Sequence, residues 1–168
     1  MTFIRTLSLF LTALATGVIF THVLQAGPRT ELPGPEFLLV HKVLMSHYGP
    51  ALGIVEIGAL LTTGWIAWEL RQRQEARLPQ VLAVTCLALM VVIWGLFISP
   101  INMRIETWSP DSLPHDWDLY RDRWTVWQVV RALLAFTAMG ALVHSALMHR
   151  LPWPRRRRGP VLPARPAE

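Results

Sequence analysis

Ionisable side chains lie inside long apolar stretches of this 168-residue sequence, and three of them belong to three different stretches. Glu56 belongs to GPALGIVEIGALLTTGWIAW, which is otherwise apolar enough to cross a membrane, and His22 and Arg131 lie in two other apolar runs. A charged side chain at the centre of a bilayer costs about 2.5–3.5 kcal/mol on insertion scales, so it is rare there unless it is paired or used. These three residues are therefore the first candidates for chemistry.

A carboxylate or an imidazole in a low-dielectric pocket can exchange a proton near neutral pH, and an arginine can bind an anion or a carbonyl oxygen. We therefore predict Glu56, His22 and Arg131 as a catalytic set lining a polar cavity that opens to the outer face. The alternative is structural, with a Glu56–Arg131 ion pair that holds two helices in register. The two interpretations are compatible, because a pair that fixes a bundle can also line a pocket.

The elements that must position these residues are membrane-spanning helices. The chain is 52% hydrophobic and 16% charged, with its apolar residues gathered at about 6–26, 50–70, 80–100 and 125–148. Each run has about the 20 residues that cross a bilayer core. The sequence predicts an all-α, integral membrane, antiparallel four-helix bundle within residues 1–150, followed by a basic, Pro-rich cytoplasmic tail at 151–168.

Basic residues cluster on one predicted side of the membrane, in RQRQEAR after the second run and in PRRRRGP of the tail. The positive-inside rule then predicts a multi-pass protein of the cell's inner membrane with both termini in the cytoplasm. Basic tails of this kind contact anionic headgroups, so the net charge of +5 does not indicate nucleic acid. The expected partners are the lipid bilayer, a small hydrophobic ligand, and a membrane protein partner or a second copy.

The two longer loops are expected to cover the outer end of the bundle. The Pro/Gly-rich stretch AGPRTELPGPE predicts a turn, and FLLVHKVLMSHY after it predicts a short amphipathic helix at the interface. The polar, acidic residues 101–124 predict an ordered cap or loop on the same non-cytoplasmic side.

Helical rise gives the depth of each candidate. Glu56 and Arg131 both lie about 9 Å below the outer ends of their helices, and His22 lies near the outer end of the first. Trp124, Trp127 and Arg131 share one helical stripe, with Gln128 beside it. A lipid-facing charge is disfavoured, so this stripe is expected to face the bundle interior. Trp124, Trp127 and Gln128 therefore form the predicted substrate-binding set, to which a family resemblance adds Asn102.

Metal binding is an open alternative. His22, His41 and His47 could meet near Glu56 as a metal-ligating set, although their spacing matches no established motif and hydrogen-bonded imidazoles are the ordinary interpretation. Haem is disfavoured because His144 lies at a different depth from His22. No cofactor is predicted.

Four segments resemble the anthrone-oxygenase-like family of small bacterial membrane proteins, many of them known only as a domain of unknown function. These are GVIFTHVLQAGPRTELPGPEFLLVHKVL, VEIGALL, ISPIN, and TWSPDSLPHDWDLYRDRW followed by VVRA. The resemblance covers about residues 15–145. It implies a four-helix membrane bundle and, in a characterised branch, oxidation of a polycyclic anthrone to the anthraquinone without an evident dedicated cofactor.

The resemblance also carries site residues onto this chain: His22, Glu56, Asn102, Trp124 and Arg131. Gln128 departs from the pattern, because relatives place a histidine in that turn.

The expected function is oxidation of a small hydrophobic, aromatic or quinone-like substrate that enters from the bilayer. Whether the protein is an enzyme is left open by the sequence. The alternative is a non-enzymatic ligand-binding or accessory membrane subunit, which the acidic, Trp-rich segment 105–124 favours. An enclosed cavity beside Glu56 would support small-molecule chemistry, whereas a close-packed bundle with a direct Glu56–Arg131 bond would support the alternative.

Overall fold

The computed structural model describes residues 2–72 and 74–148, without the side chains of residues 47 and 74–76. Within these residues the chain is helical apart from short connections and has no strands. Four helical stretches are long and apolar enough to cross a membrane. The predicted all-α membrane fold with four spans is thereby confirmed. The tail predicted at 151–168 lies outside the described residues.

Six α-helices make up the bundle and its connections. They are α1 (Thr2–Leu24), α2 (Ala26–Thr30), α3 (Gly34–Glu69), α4 (Gln74–Ile93), α5 (Ser99–Glu106) and α6 (Trp117–Met148). A 3₁₀ turn, Leu70–Gln72, follows α3, and a π-helical turn, Trp94–Ile98, joins α4 to α5. The four spans are α1, the apolar part of α3, the run from α4 through α5, and α6.

Helix α3 corrects the prediction of a separate interfacial helix. It runs for 36 residues and passes through Pro50 without ending. Proline in a helix interior removes one hydrogen bond and commonly breaks a soluble helix, but membrane helices tolerate it because neighbouring groups satisfy the freed carbonyl. The apolar span begins only at Tyr48, so the first third of α3 extends beyond it and carries His41.

The third and fourth spans are also longer than the sequence predicts. Helix α5 ends at Glu106, so residues 101–106 are helical and not part of a loop. Helix α6 begins at Trp117, about two turns before the predicted start near 125. Near the end of α5, Phe37 and Leu38 of α3 pack against Ile105 and Trp108 in a separate apolar cluster.

Small side chains let the spans approach closely. The central cluster includes Ala59, Ala83, Ala132, Ala135 and Ala138, drawn from three of the four spans. Small residues serve this purpose in membranes, where lipid removes the hydrophobic drive for helix association and close packing replaces it.

The contacts between α1 and α3 give their relative direction. The Ser8 and Thr63 hydroxyls lie 2.7 Å apart, and three residues further along α1 Leu11 lies against Gly58, earlier in α3. The two helices therefore run in opposite directions. This brings the C-terminal end of α1 toward the first half of the span Tyr48–Gln72, which contains Glu56.

Candidate active site

The structure brings Glu56 and Arg131 together. Arg131 Nη2 donates a hydrogen bond to Glu56 Oε1, and the two side chains form an ion pair. Their residues are only 4% and 1% exposed. The pair ties α3 to α6, so each buried charge has its compensation on another helix.

Gln128 completes the surroundings of this pair. Its Oε1 accepts a hydrogen bond of 3.1 Å from Arg131 Nη1, one helical turn away on α6. Arg131 Nε has no hydrogen-bond partner among the described residues. Gln128 therefore supports Arg131, because an amide oxygen accepts a hydrogen bond from a guanidinium.

A second group consists of Trp124 and the three buried side chains around its ring. We call it the Trp124 cluster, and its members are His22, Arg29, His41 and Trp124. Trp124 is fully buried. The rings of His22 and His41 each lie 5.2 Å from the Trp124 ring, edge to face, and the Arg29 guanidinium carbon lies 5.1 Å from its centroid. The cluster thus joins α1, α2, α3 and α6.

His41 holds a defined protonation state within this cluster. Its Nε2 lies 3.3 Å from Asn102 Oδ1, and since an amide oxygen only accepts, Nε2 carries the proton. Burial above all, and then the positive charge of Arg29, lower the pKa of His41 to about 3, against a smaller rise from the Asn102 hydrogen bond. The imidazole is therefore neutral near pH 7, and its Nδ1 is an unprotonated acceptor without a partner among the described residues.

Lys42 fixes α3 against the end of α5. Its Nζ donates to the carbonyl oxygens of Glu106 at 2.7 Å and Trp108 at 2.8 Å. A cation at the C-terminus of a helix satisfies its free carbonyls and opposes its dipole. Because Lys42 follows His41 directly, this contact also helps to set the distance between His41 and Asn102.

Two cavities adjoin these groups. One has a volume of about 750 Å³ and lies between α3 and the third span, with His41 and Asn102 in its wall. The other, of about 20 Å³, is lined by His22, Glu56 and Arg131 among others. Five residues line both cavities: Met45, Gly49, Gly53, Trp94 and Asn102. The ion pair is therefore next to a space of the size that holds a multi-ring ligand.

The rim of the large cavity is largely apolar, although the exposed Ser46 and Glu106 also line the cavity. It includes Ile54, Ile57 and Met103, which are 76%, 44% and 64% exposed. These residues belong to membrane-spanning stretches, so their exposed surfaces face lipid. The cavity therefore opens sideways toward the bilayer.

Trp124 and Trp127 are the two residues predicted from the sequence to form the wall around a substrate. Neither lines either of these two cavities. Trp127 instead stacks on Phe97 of the π-helical turn, with ring centroids 4.0 Å apart and planes inclined by 17°. Trp94, in the same turn, lines both cavities, although it is not among the site residues predicted from the sequence. π-Helical turns often occur at functional sites, but this one has no sequence signal of its own.

Three of the four candidate metal ligands, His22, His41 and Glu56, do not form a metal-binding group among the described residues. Among the described side chains, no three His, Cys, Asp or Glu residues lie close enough to hold a metal ion. Glu56 pairs with Arg131, and His41 with Asn102. The side chain of His47 lies outside the described residues, so the full predicted set is not tested.

Arg29 is the site residue that sequence reasoning missed. It lies in the Pro/Gly-rich stretch predicted as a turn, and it is only 2% exposed. Proline and glycine there indicate a turn correctly, since α2 is only five residues long. The burial of Arg29 depends on contacts with α6, which no local pattern reports.

A buried Glu–Arg pair at one end of four apolar helices, beside a cavity open to lipid, defines a small integral membrane protein with a polar intramembrane site. Residues 43–141, more than half of the chain, match the anthrone oxygenase family, and the chain belongs to this family. The match includes Glu56, Asn102 and Arg131, whereas His22 and Arg29 precede it. Comparison with curated proteins and with solved structures found no match.

Proposed function

We propose that this protein oxidises a polycyclic, anthrone-like aromatic substrate within the membrane. The observation that carries the proposal is the lipid-facing cavity of about 750 Å³, which shares its inner wall with the small cavity holding the Glu56–Arg131 pair. The family supplies the reaction class, and the apolar rim suits a flat hydrophobic substrate.

The proposed reaction converts the ring methylene of an anthrone to a carbonyl. The methylene loses two hydrogens and gains one oxygen, and molecular oxygen supplies both the inserted atom and the atom that leaves in water. Loss of the first proton produces an aromatic enolate, whose negative charge collects on the existing carbonyl oxygen. The protein's task is then to accept a proton and to stabilise that oxygen.

Residues of the two cavities can share this task. Glu56, with His22 beside the same small cavity, is the proposed proton acceptor. Asn102 Oδ1 accepts from His41, so its amide N–H groups are free in this arrangement to donate to the enolate oxygen. Arg131, bonded to both Glu56 and Gln128, supplies positive charge close to that oxygen.

We also propose that the site end of the bundle faces away from the cytoplasm of an inner membrane, with both chain termini inside. The support is the excess of basic residues in the 71–77 loop and the tail, which the positive-inside rule assigns to the cytoplasm.

Oxidation of anthrone by membranes containing the protein tests the proposed activity. Oxygen consumption and formation of the anthraquinone should accompany each other, and Glu56→Gln should lower the rate by at least about 100-fold because general acid–base groups contribute that much. Glu36→Gln is the matched control, since Glu36 is an exposed glutamate of the same helix. Full turnover by a folded, inserted Glu56→Gln protein would show that the catalytic assignment is wrong.

A second candidate function is a non-enzymatic ligand-binding or accessory subunit. The direct bond between Arg131 and Glu56, with Gln128 where relatives have histidine, favours a structural role for the pair. Native mass spectrometry with elemental analysis distinguishes the two. A co-purified aromatic molecule without anthrone turnover would support the subunit, and turnover would exclude it.

A further inference from the structure

Arg29 is a buried cation without a counter-charge in the described part of the chain. Its Nε and Nη2 donate to Gln25 Oε1 at 3.3 and 2.9 Å, and its Nη1 has no hydrogen-bond partner there. The ion pairs among the described residues involve other arginines. Burial lowers the pKa of Arg29, and no carboxylate acts in the opposite direction.

Arg131 shows what compensation looks like in the same bundle. It is buried to the same degree as Arg29, and it has Glu56. Burying a charge is costly unless a partner of opposite sign accompanies it. A neutral amide such as Gln25 satisfies hydrogen bonds but supplies no negative charge. The positive charge of Arg29 is therefore not neutralised by any described residue.

Other buried polar atoms without partners accompany the Arg29 guanidinium in the described part of the chain. The indole Nε1 of Trp124 is a donor only, and it too has no partner among the described residues. His22 Nδ1 is likewise buried and unpartnered, and its ring contacts Trp124. The Trp124 cluster therefore combines a positive charge with unused hydrogen-bond donors.

The cluster is next to both cavities. His41 lines the large cavity and contacts the Trp124 ring, while His22 lines the small one and contacts the same ring. A molecule with an apolar body in the large cavity would therefore lie next to the cluster that contains Arg29, because His41 belongs to both.

We propose that the Trp124 cluster binds the oxyanion of an amphiphilic ligand, with Arg29 as its counter-charge and the Trp124 indole N–H as a hydrogen-bond donor. The apolar body of the ligand occupies the lipid-facing cavity. The oxyanion is the carboxylate or phenolate of an aromatic molecule or the phosphate of a lipid, which share this chemistry. The inference goes beyond the proposed oxidation and does not depend on it, because it concerns binding alone.

Two matched probes test the inference in the purified full-length protein, held in an uncharged detergent at pH 7. They are 9-anthracenecarboxylate and the neutral 9-anthracenemethanol, titrated by fluorescence. One charge-assisted contact should make the carboxylate bind at least about tenfold more tightly. Arg29→Gln should remove this preference and leave the affinity for the neutral probe unchanged, whereas Arg104→Gln, at an exposed arginine, should keep it.

A lipid arm distinguishes the source of the oxyanion. Thermal unfolding is measured in vesicles of phosphatidylglycerol and of digalactosyldiacylglycerol, an uncharged lipid without phosphate. Stabilisation by phosphatidylglycerol that disappears in Arg29→Gln, without a preference between the anthracenes, assigns the site to a lipid phosphate. A preference between the anthracenes assigns it to an aromatic acid.

The wild-type protein alone can overturn the proposal. Equal affinity for the two anthracenes together with equal stability in the two lipids would show that no oxyanion is bound. If either preference persists in Arg29→Gln, Arg29 is not the counter-charge and the proposal is wrong. Thermal unfolding without ligand adds a further check: an incomplete cation predicts that Arg29→Gln unfolds at the wild-type temperature or above, and a marked decrease would assign Arg29 a structural role instead.

Discussion

Glu56 and Arg131 show how one residue can make another tolerable inside a membrane. Each is almost fully buried, and each supplies the charge that the other needs. Removing one partner strands the other in a low-dielectric interior, which costs more than never having had the pair. Arg29 lacks such a partner among the described residues, so the two arginines respond differently to substitution.

Stability measurements on Glu56→Leu, Arg131→Leu and the double variant test this pairing. Each single change should lower the free energy of unfolding by about 3–5 kcal/mol, and the double change should cost less than either. Unfolding in detergent gives the three values. The Arg121–Asp122 pair, in which Asp122 is exposed, is the control, and Asp122→Ala should cost less than about 1 kcal/mol. Strictly additive single losses would contradict a coupled pair.

His41 predicts a pH dependence of stability. Its pKa falls from 6.5 to about 3 on folding, because of burial and the charge of Arg29. The unfolded chain therefore binds a proton first as pH decreases, so stability is complete above about pH 6.5 and is lost toward pH 3 by at most about 1.4 kcal/mol per pH unit.

Thermal unfolding between pH 7.5 and 4.5 measures this effect. His41→Gln keeps an amide for Asn102 and should flatten the profile, while His115→Gln, at an exposed position, should leave it unchanged. An equally steep profile in His41→Gln would assign the effect to other groups, of which His22 in the same cluster is the nearest in the fold.

At the scale of helices, the sequence predicts the existence of the spans better than their ends. Apolar length identifies all four, but Gly49 and Pro50 wrongly predict a break in α3. Charged residues such as Asp118 and Arg123 likewise hide the first two turns of α6, because hydropathy reports the lipid-embedded part of a helix and not the part that extends into the polar region.

Some contacts of the site are likewise predictable from the sequence, and others are not. The contact between Glu56 and Arg131 is predictable, because the fixed rise per residue of a helix places both side chains at the same depth. The approach of Arg29 and His41 to Trp124 depends on how α2 and the start of α3 fold over the bundle. That arrangement is tertiary, and no periodicity in the sequence contains it.

Gly34 at the start of α3 is a predicted weak point of this arrangement. A Cβ there would lie 2.7 Å from Leu113 Cδ1 and 3.1 Å from Trp117 Cε2, so the connection before α6 would have to shift. Gly34→Ala should therefore cost about 1–3 kcal/mol of unfolding free energy. Gly64→Ala, in the same helix with nothing within 4 Å, should be neutral or slightly stabilising. Equal effects in a thermal unfolding comparison would contradict the close approach.

At the scale of the whole molecule, the orientation in the membrane decides which compartment the site faces. Cys86 is the chain's single cysteine and is buried, so Cys86→Ala provides a background for introduced cysteines. Ser109→Cys lies in the connection before α6, and Gln72→Cys lies in the turn after α3.

A membrane-impermeant maleimide should label Ser109→Cys in intact cells and Gln72→Cys only after lysis. The positive-inside rule gives the physical reason, since the basic residues gather around position 72. The reverse labelling pattern would show that both termini lie outside the cytoplasm.

The lipid-facing rim formed by Ile54, Ile57 and Met103 has a consequence for how activity depends on concentration. A ligand that enters through this rim is drawn from the bilayer, where its amount per lipid molecule sets the occupancy of the cavity. Doubling the quantity of empty vesicles at constant total ligand should therefore lower the apparent affinity, although the aqueous volume is unchanged. The natural unit for the Michaelis constant of such a protein is a mole fraction in the membrane.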